Sequence, residues 1–329
     1  MVSPHPAPLP VIHDGDHGGD DFIATLVFAA HPEKFNLLGI TTSFGNTSVE
    51  NATRNARAAL ALAGRPDVPV YRGSDRPFVI PPKGGDAAFS ENGLGGVEFP
   101  PSPQPPGQGD AVAWMAETLA ASPEPVTLAV TGLMTDTARL LRDHPHIKSK
   151  IARIVAMGGC KGPLGIHRRH GNITEFAEFN FYMDPEAADF VLKSGIPLTL
   201  LPMDATHQCV LTPDRQKTML DRLPPFPGQA IVQMIRAAEK YDTPKFGADG
   251  AFLHDEQVPL YLLAPHLYRA KPVSLTVDLT DPASPRHGQM HVSAPRGGNP
   301  VLLVQEIDAD ASFDLMVESL GRLFPQRDP

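Results

Sequence analysis

The sequence predicts an α/β protein: a single domain with a mostly parallel, doubly wound central sheet flanked by helices. Three observations predict it. Short apolar runs alternate with segments of helical period through the first two-thirds of the chain, the pattern of a parallel sheet covered on both faces. Glycine-rich polar turns follow these runs at their C-terminal ends, where ligands bind in such sheets. An apolar content of 42% in 329 residues supplies a sizeable core.

Residues 1–9 read as a flexible Pro-rich tail and 10–329 as one domain. Residues 11–13 form a buried strand, and Gly15, Gly18 and Gly19 a tight loop. A helix over 21–30 places Ile23, Leu26, Val27 and Ala30 at helical spacing. The second strand is 35–42. Thr47 and Glu50 suit a capping box for the next helix, which Gly64 ends. A short strand over 68–71 leads to an irregular stretch, 77–110, rich in Pro and Gly. So long a loop in a compact chain is functional or disordered.

A helix over 111–121 and a strand over 126–130 follow, the strand running into Thr131-Gly132. Residues 135–142 are helical, with Asp136 as the cap, and 151–157 form a strand. Asp184-Pro185 starts a helix with Pro at its first position, and Gly195 stops it. Residues 197–202 form a strand ending at Asp204. Helices over 213–222 and 228–241 come next, and His254-Asp255 opens an apolar segment to Leu263. Late strands fall at 273–277 and 301–305, and Asp310 caps the last helix.

The net charge of -9 excludes nucleic acid as an expected partner. Cys160 and Cys209 sit in apolar segments and read as reduced core thiols. The first ten residues lack the apolar stretch of a secretory signal, and no apolar run reaches membrane-spanning length. A soluble, cytoplasmic protein is the expectation.

Chemistry concentrates in the first strand–loop–helix. Asp14, Asp16, Asp20 and Asp21 fall at i, i+2, i+6 and i+7. Two acids at a helix start complement its dipole. Four around a glycine loop repel one another unless a cation sits among them, and hard cations such as Ca²⁺ take oxygen ligands of this kind. Asn46, Thr131, Asn172, Glu178, Asn180 and Asp204 each follow a predicted strand, so all are expected along one rim of the sheet.

The first stretch resembles the signature of the inosine–uridine type nucleoside hydrolases, Asp-x-Asp-Pro-Gly-x-Asp-Asp-Ala. The matches are Asp14, Asp16, Gly18, Asp20 and Asp21, with His17 in place of Pro and Phe22 in place of Ala. Gly171-Asn172, then Ala177-Glu178-Phe179-Asn180 and Asp184-Pro185, are similar to the family's second run. His254-Asp255 is similar to its third, with Glu256 where the family has Pro. The resemblance runs from about Val11 to Pro265.

The resemblance implies hydrolysis of the N-ribosidic bond of ribonucleosides to free base and ribose, through a calcium-bound water. It implies that Asp16, Asp21, Asp255 and the Thr131 carbonyl hold Ca²⁺, with Asp16 also taking the proton of the water. Asp20 and Asn180 would bind the 2′- and 3′-hydroxyls, and Asn172 and Glu178 the 5′-hydroxyl. Asp14 and Asn46 would support the site, and His254 would protonate the base. Phe89 stands where many members have a His that packs on the base, so no base preference transfers. Phe89, Tyr241 and Phe246 are expected to contact the nucleobase. The expected partner is a small ribonucleoside met in nucleoside salvage, and the expected assembly a homo-oligomer, dimer or tetramer.

Two alternatives stand beside this reading. A haloacid dehalogenase-type phosphatase also carries Asp-x-Asp after its first strand, but wants Thr or Val where Gly18 stands. A nucleoside-binding protein without turnover would keep the ribose pocket alone.

Overall fold

Along the inner strands, successive side chains point to opposite faces, and both faces are apolar. Val11, Ala129, Val155 and Leu201 join one buried cluster. Ile12, Leu128, Val130, Ile154, Ala156 and Leu200 join another. A strand buried on both sides is what a parallel sheet between two helical layers requires. This architecture is that of a computed structural model describing residues 7–79, 91–295 and 300–325.

The chain begins with β1 (Leu9–Gly15), α1 (Gly19–Ala29), β2 (Phe35–Thr42), α2 (Val49–Leu62) and β3 (Val70–Arg72). After the long loop come α3 (Ala111–Ala121), β4 (Val126–Val130), α4 (Thr135–Asp143) and β5 (Ile151–Met157). A second long connection leads to α5 (Phe179–Met183), α6 (Pro185–Leu192), β6 (Leu198–Leu201) and α7 (Met203–Thr206). A small lobe follows: β7 (Val210–Leu211), α8 (Pro213–Arg222), α9 (Pro225–Arg236), α10 (Glu239–Phe246) and β8 (Ala251–Phe252). The chain then runs through α11 (Gln257–Leu263), β9 (Tyr268–Val277), β10 (Met290–Ser293), β11 (Val301–Ile307) and α12 (Ala309–Leu323).

The main sheet has the order β10-β9-β11-β6-β5-β4-β1-β2-β3, and β7 and β8 pair separately. From β11 to β3 every pairing is parallel, while β9 and β10 close the far edge antiparallel. The chain moves outward in one direction from β1 to β2 and β3, and in the other from β4 to β5 and β6. The strand order therefore reverses between β1 and β4, and a crevice opens beyond their carboxyl ends. α1, α2, α9, α11 and α12 cover one face, and α3, α4 and α6 the other.

Several expectations shift in detail. β1 starts at Leu9, inside the expected tail. Ser48, not Thr47, caps α2 by accepting from the Asn51 amide, and Glu50 instead pairs with Arg72 across 2.6 Å. Asp136 does not cap α4; its carboxylate accepts from the backbone amide and the hydroxyl of Ser74. Asp308, not Asp310, caps α12, and Asp310 pairs with Arg215. The helix expected over 228–241 is two helices, α9 and α10, with Tyr241 inside the second. Cys160 and Cys209 are free and buried. Among the described residues, no helix is long and apolar enough to cross a membrane.

Candidate active site

The loop after β1 drops its acids into the crevice between β1 and β4. Asp14, still on the strand, is fully buried and accepts from the Thr41 and Thr137 hydroxyls at 2.8 and 3.1 Å. Asp16 accepts from the Asn46 amide at 2.6 Å and from the Asn46 side chain at 3.3 Å. Gly45 makes that approach possible: a Cβ there would lie 1.9 Å from Asp16 Oδ2. Gly132 does the same from β4, where a Cβ would meet the Asp16 amide at 2.6 Å. At the start of α1, Asp21 accepts from the Gly18 amide at 3.1 Å.

Carboxylate oxygens of Asp20, Asp21 and Asp255 lie within 4.8 Å of one another. Burial, and then neighbouring acids, raise the pKa values of Asp16 and Asp255 well above the usual carboxylate range and push that of Asp20 to about 7. The charges acting most strongly on Asp16, Asp20, Asp255 and Glu256 are all carboxylates. Both Glu256 oxygens are buried without a hydrogen-bond partner. A donor set of crowded oxygens without a counter-charge fits a hard divalent cation.

Behind Asp21 runs a buried hydrogen-bonded chain. The Thr131 hydroxyl donates to Asp21 Oδ1 at 2.6 Å, so it accepts from His13 Nε2 at 2.8 Å. His13 Nδ1 then accepts from Thr25, whose oxygen accepts from His17 Nε2, both at 3.1 Å. His17, the residue standing in the place of Pro, thus orients Asp21 through two hydroxyls and a second imidazole.

The crevice widens into a cleft with about 800 Å³ of empty space. Of the expected residues, Asp20, Asn46, Thr131, Asn172, Glu178, Asn180, Tyr241, His254 and Asp255 line it. The Asn180 amide donates to the carbonyls of Thr131 and Met157, at 3.0 and 3.2 Å, which leaves Oδ1 for a ligand. Glu178 caps α5 and accepts from the amides of Gly159, Asn180 and Phe181. Asn172 Oδ1 is buried without a partner. Burial lowers the His254 pKa to about 4, and Thr206 holds its Nδ1 at 2.7 Å.

The structure does not bring the rest to the cleft. Asp14 lies beneath it, and Asp16 and Asp21 are buried next to its lining, Asp16 beside Asn46 and Asp21 beside Thr131. Asp204 accepts instead from the amides of Lys161 and Gly162. Phe246 packs edge-on against His207 and Phe252 in the core, away from the lining. Phe89 lies outside the described residues. Residues not anticipated complete the wall: Ile173, Phe179, Ala238, Asp242, Lys245 and Phe252. Ala238, Tyr241, Asp242 and Lys245 recur at i, i+3, i+4 and i+7, one helical stripe. That signal was available, but it crosses the break between α9 and α10.

Comparison with known proteins accounts for this constellation. The model of the family described as inosine-uridine preferring nucleoside hydrolase matches residues 11–314. A pyrimidine-specific ribonucleoside hydrolase, RihA, of Citrobacter koseri is 40% identical over 262 residues, covering 79% of this chain and 81% of the relative. An uncharacterized protein of Schizosaccharomyces pombe is 34% identical over 319 residues, 96% of this chain and 100% of its own length. The solved purine-preferring ribonucleoside hydrolase from Gardnerella vaginalis superposes with a TM-score of 0.83 at 29% identity, covering 95% of this chain and 98% of that one. The phosphatase alternative is not favoured, and the chain belongs to the inosine-uridine preferring nucleoside hydrolase family and is a nucleoside hydrolase.

Proposed function

We propose that this enzyme hydrolyses the N-ribosidic bond of ribonucleosides to free base and ribose, in cytoplasmic nucleoside salvage, with Ca²⁺ as its cation. The observation that carries this reading is the lining of one cleft. Its lining gathers two sets of side chains, the polar Asp20, Asp255, Asn172, Glu178 and Asn180 and the ring-bearing Tyr241, Phe252 and His254. The first set suits a sugar with several hydroxyls, the second a flat heterocycle.

Asp16, Asp21 and Asp255, with the Thr131 carbonyl, would hold the cation, and Asp20 lies beside Asp21 and Asp255. When bound, it offsets the crowded negative charge and lowers the pKa of a neighbouring water. The chain's own residues do the rest. Asp16 takes a proton from the attacking water, its position fixed by the two Asn46 donors. Asp20 and Asn180 Oδ1 accept from the 2′- and 3′-hydroxyls. Asn172 Oδ1, otherwise unpartnered, accepts from the 5′-hydroxyl, with Glu178 in the same wall. Oxocarbenium character develops at C1′ as the base leaves, and the surrounding carboxylates favour it. Tyr241 and Phe252 flank the base, while neutral His254 gives it a hydrogen-bond partner.

The test is a release assay across the common ribonucleosides and their 2′-deoxy analogues. A site built to bond a hydroxyl rejects the analogue lacking it by up to about 10⁴-fold. Ribonucleosides should therefore turn over and deoxynucleosides barely. Equal rates on inosine and 2′-deoxyinosine would overturn the ribose assignment. Tight inosine binding without base release would identify a binding protein.

A further inference from the structure

Asn172, which the proposed reading assigns to the ribose 5′-hydroxyl, sits on neither a helix nor a strand. It follows a turn in which Leu164 and Arg169 exchange backbone hydrogen bonds at 2.6 and 2.9 Å. The segment then folds tightly on itself. The His170 amide donates to the Glu175 carbonyl at 2.7 Å, and a Cβ on Gly171 would lie 2.1 Å from the Ala177 carbonyl oxygen. The Thr174 hydroxyl donates to the Pro285 carbonyl at 2.8 Å. These bonds shape the segment around Asn172 without touching Asn172 itself, whose Oδ1 is buried and without a partner. The bond made to Asn172 comes from α10. Lys245 Nζ donates to the Asn172 carbonyl at 3.0 Å, and both residues line the cleft.

We infer that Lys245 is a positioning residue that sets recognition of the ribose 5′-hydroxyl, by fixing the backbone from which the Asn172 side chain projects. This rests on the ribonucleoside reading of the cleft and deepens it. Lys245 stands at an anchored end of its helix. The next residue, Phe246, is buried and packs edge-on against His207 and Phe252. Gly247 closes the helix in the left-handed region, at φ +74°. The Phe246 carbonyl accepts from the Ile166 amide at 3.2 Å, within the turn that precedes Asn172. One helical turn back, the Tyr241 ring centroid lies 5.3 Å from the Lys245 ammonium. Lys245 thus links a fixed helix end to a segment without repeating structure. Its bond to the carbonyl is charge-assisted, and so stronger than a neutral one.

The consequence falls on Asn172 Oδ1. An acceptor held in place before the ligand arrives binds a hydroxyl without an ordering cost. With the Lys245 bond removed, that cost returns and the 5′-hydroxyl is left imperfectly paired in a buried site. The effect is confined to substrates that carry the hydroxyl, because a 5′-deoxy sugar makes no use of Asn172 Oδ1.

The experiment measures kcat/KM for inosine, 5′-deoxyinosine and 2′-deoxyinosine in the unmodified enzyme, Lys245→Met, Asn172→Ala and the double variant. The unmodified enzyme should prefer inosine over 5′-deoxyinosine by about 10²-fold. Lys245→Met keeps much of the side chain and removes the donor. It should lower kcat/KM on inosine by about 10–30-fold and on 5′-deoxyinosine by no more than about threefold. The preference for inosine over 2′-deoxyinosine should be unchanged, since Asp20 and Asn180 are placed by α1 and α5. That preserved ratio is also the control for folding. Asn172→Ala should abolish the 5′ preference, and adding Lys245→Met should cost less than about threefold more. Equal losses on inosine and 5′-deoxyinosine in Lys245→Met would show that Lys245 serves the base or the helix alone, and would overturn the assignment. Loss of the 2′ preference, or full additivity in the double variant, would overturn it as well. If the unmodified enzyme treated inosine and 5′-deoxyinosine alike, the 5′ reading of Asn172 would itself fall, and the assignment with it.

Discussion

The acidic end and the aromatic end of the cleft are built from different kinds of structure. The acidic end, Asp255 apart, rests on the segments that follow β1, β4 and β5 at the centre of the main sheet. Its side chains are held by buried hydrogen bonds from Asn46, Thr131 and the His13–Thr25–His17 chain. The aromatic end rests on α10 and the two-residue strand β8, outside the main sheet. Sites on sheet termini hold geometry closely, whereas peripheral helices can vary without disturbing the core. On the proposed reading, the chemistry common to all nucleosides would fall to the acidic end and discrimination among bases to the aromatic one.

The largest effect should come from the acidic end. Asp16→Asn keeps the size of the side chain but removes its capacity to take a proton. kcat should fall on the order of 10²–10⁴-fold with little change in Tm. Calcium occupancy has to be measured on the same samples. Near-normal turnover at full occupancy would move the base elsewhere and break the division of labour.

This contrast explains what the sequence made legible. Asp14, Asp16, Asp20 and Asp21 fall within eight consecutive positions across a strand–loop–helix, so backbone geometry alone brings them together. Asn172, Glu178 and Asn180 also follow one strand, and the parallel topology puts that strand end on the same rim. The inner strands over 35–42, 126–130 and 151–157 were readable because burial on both faces leaves them mostly apolar. β7, β8 and β10 were not, since two to four residues carry too little pattern. At the aromatic end the helix break after Arg236 hid the stripe to which Asp242 and Lys245 belong. Caps were misplaced by one or two residues for a related reason: Ser48 and Asp308 compete with equally suitable neighbours, and only the turn geometry decides.

Phe246 and Tyr241 sharpen the comparison within α10 itself. Five residues apart, their side chains diverge by about 140° around the helix axis. Phe246 is 4% exposed and packs against His207 and Phe252. Phe246→Ala should therefore lower stability by about 3–5 kcal/mol, measured by chemical denaturation, and leave the ratio of inosine to uridine turnover alone. A changed ratio at unchanged stability would put this ring in the base site after all.

A smaller effect tests the uncompensated charge. Asp16, Asp20, Asp255 and Glu256 all have folded pKa values raised by burial and by one another. Groups of this kind favour the fold while protonated, and the benefit is lost as pH rises from the ordinary carboxylate range near 4 through about 7 and above. In a chelator, Tm should fall between pH 5 and pH 8, by several degrees. Calcium should reverse much of the fall. Asp184 and Asp242 are raised too, to about 6 and about 7, but they lie outside the cation cluster, so their share should persist with calcium present. Glu33, Glu50 and Asp67, whose pKa values are lowered, act only below this window. A flat profile in chelator would mean that the cluster is already compensated.

The smallest effect belongs to Tyr241, and it decides whether the aromatic end reads the base. The ring lines the cleft, with the ammonium groups of Lys240 and Lys245 at 5.0 and 5.3 Å from its centroid. Those contacts come from its own helix. Stacking on a heterocycle contributes about 1 kcal/mol beyond area burial, equivalent to about a fivefold change in kcat/KM. A purine offers more stacking area than a pyrimidine, so Tyr241→Ala should lower inosine turnover by about fivefold and uridine turnover by less. Tm should stay within a degree or two, because the ring is only partly buried. The measurement is kcat/KM for both nucleosides in Tyr241→Ala, with Tyr241→Phe beside it to separate the ring from its hydroxyl. Recovery in Tyr241→Phe assigns the effect to the ring face. Loss in both variants assigns it to the hydroxyl, and the base is then held at its edge. An unchanged ratio in both would move base discrimination to other apolar residues of the lining, such as Phe252 and Ile173.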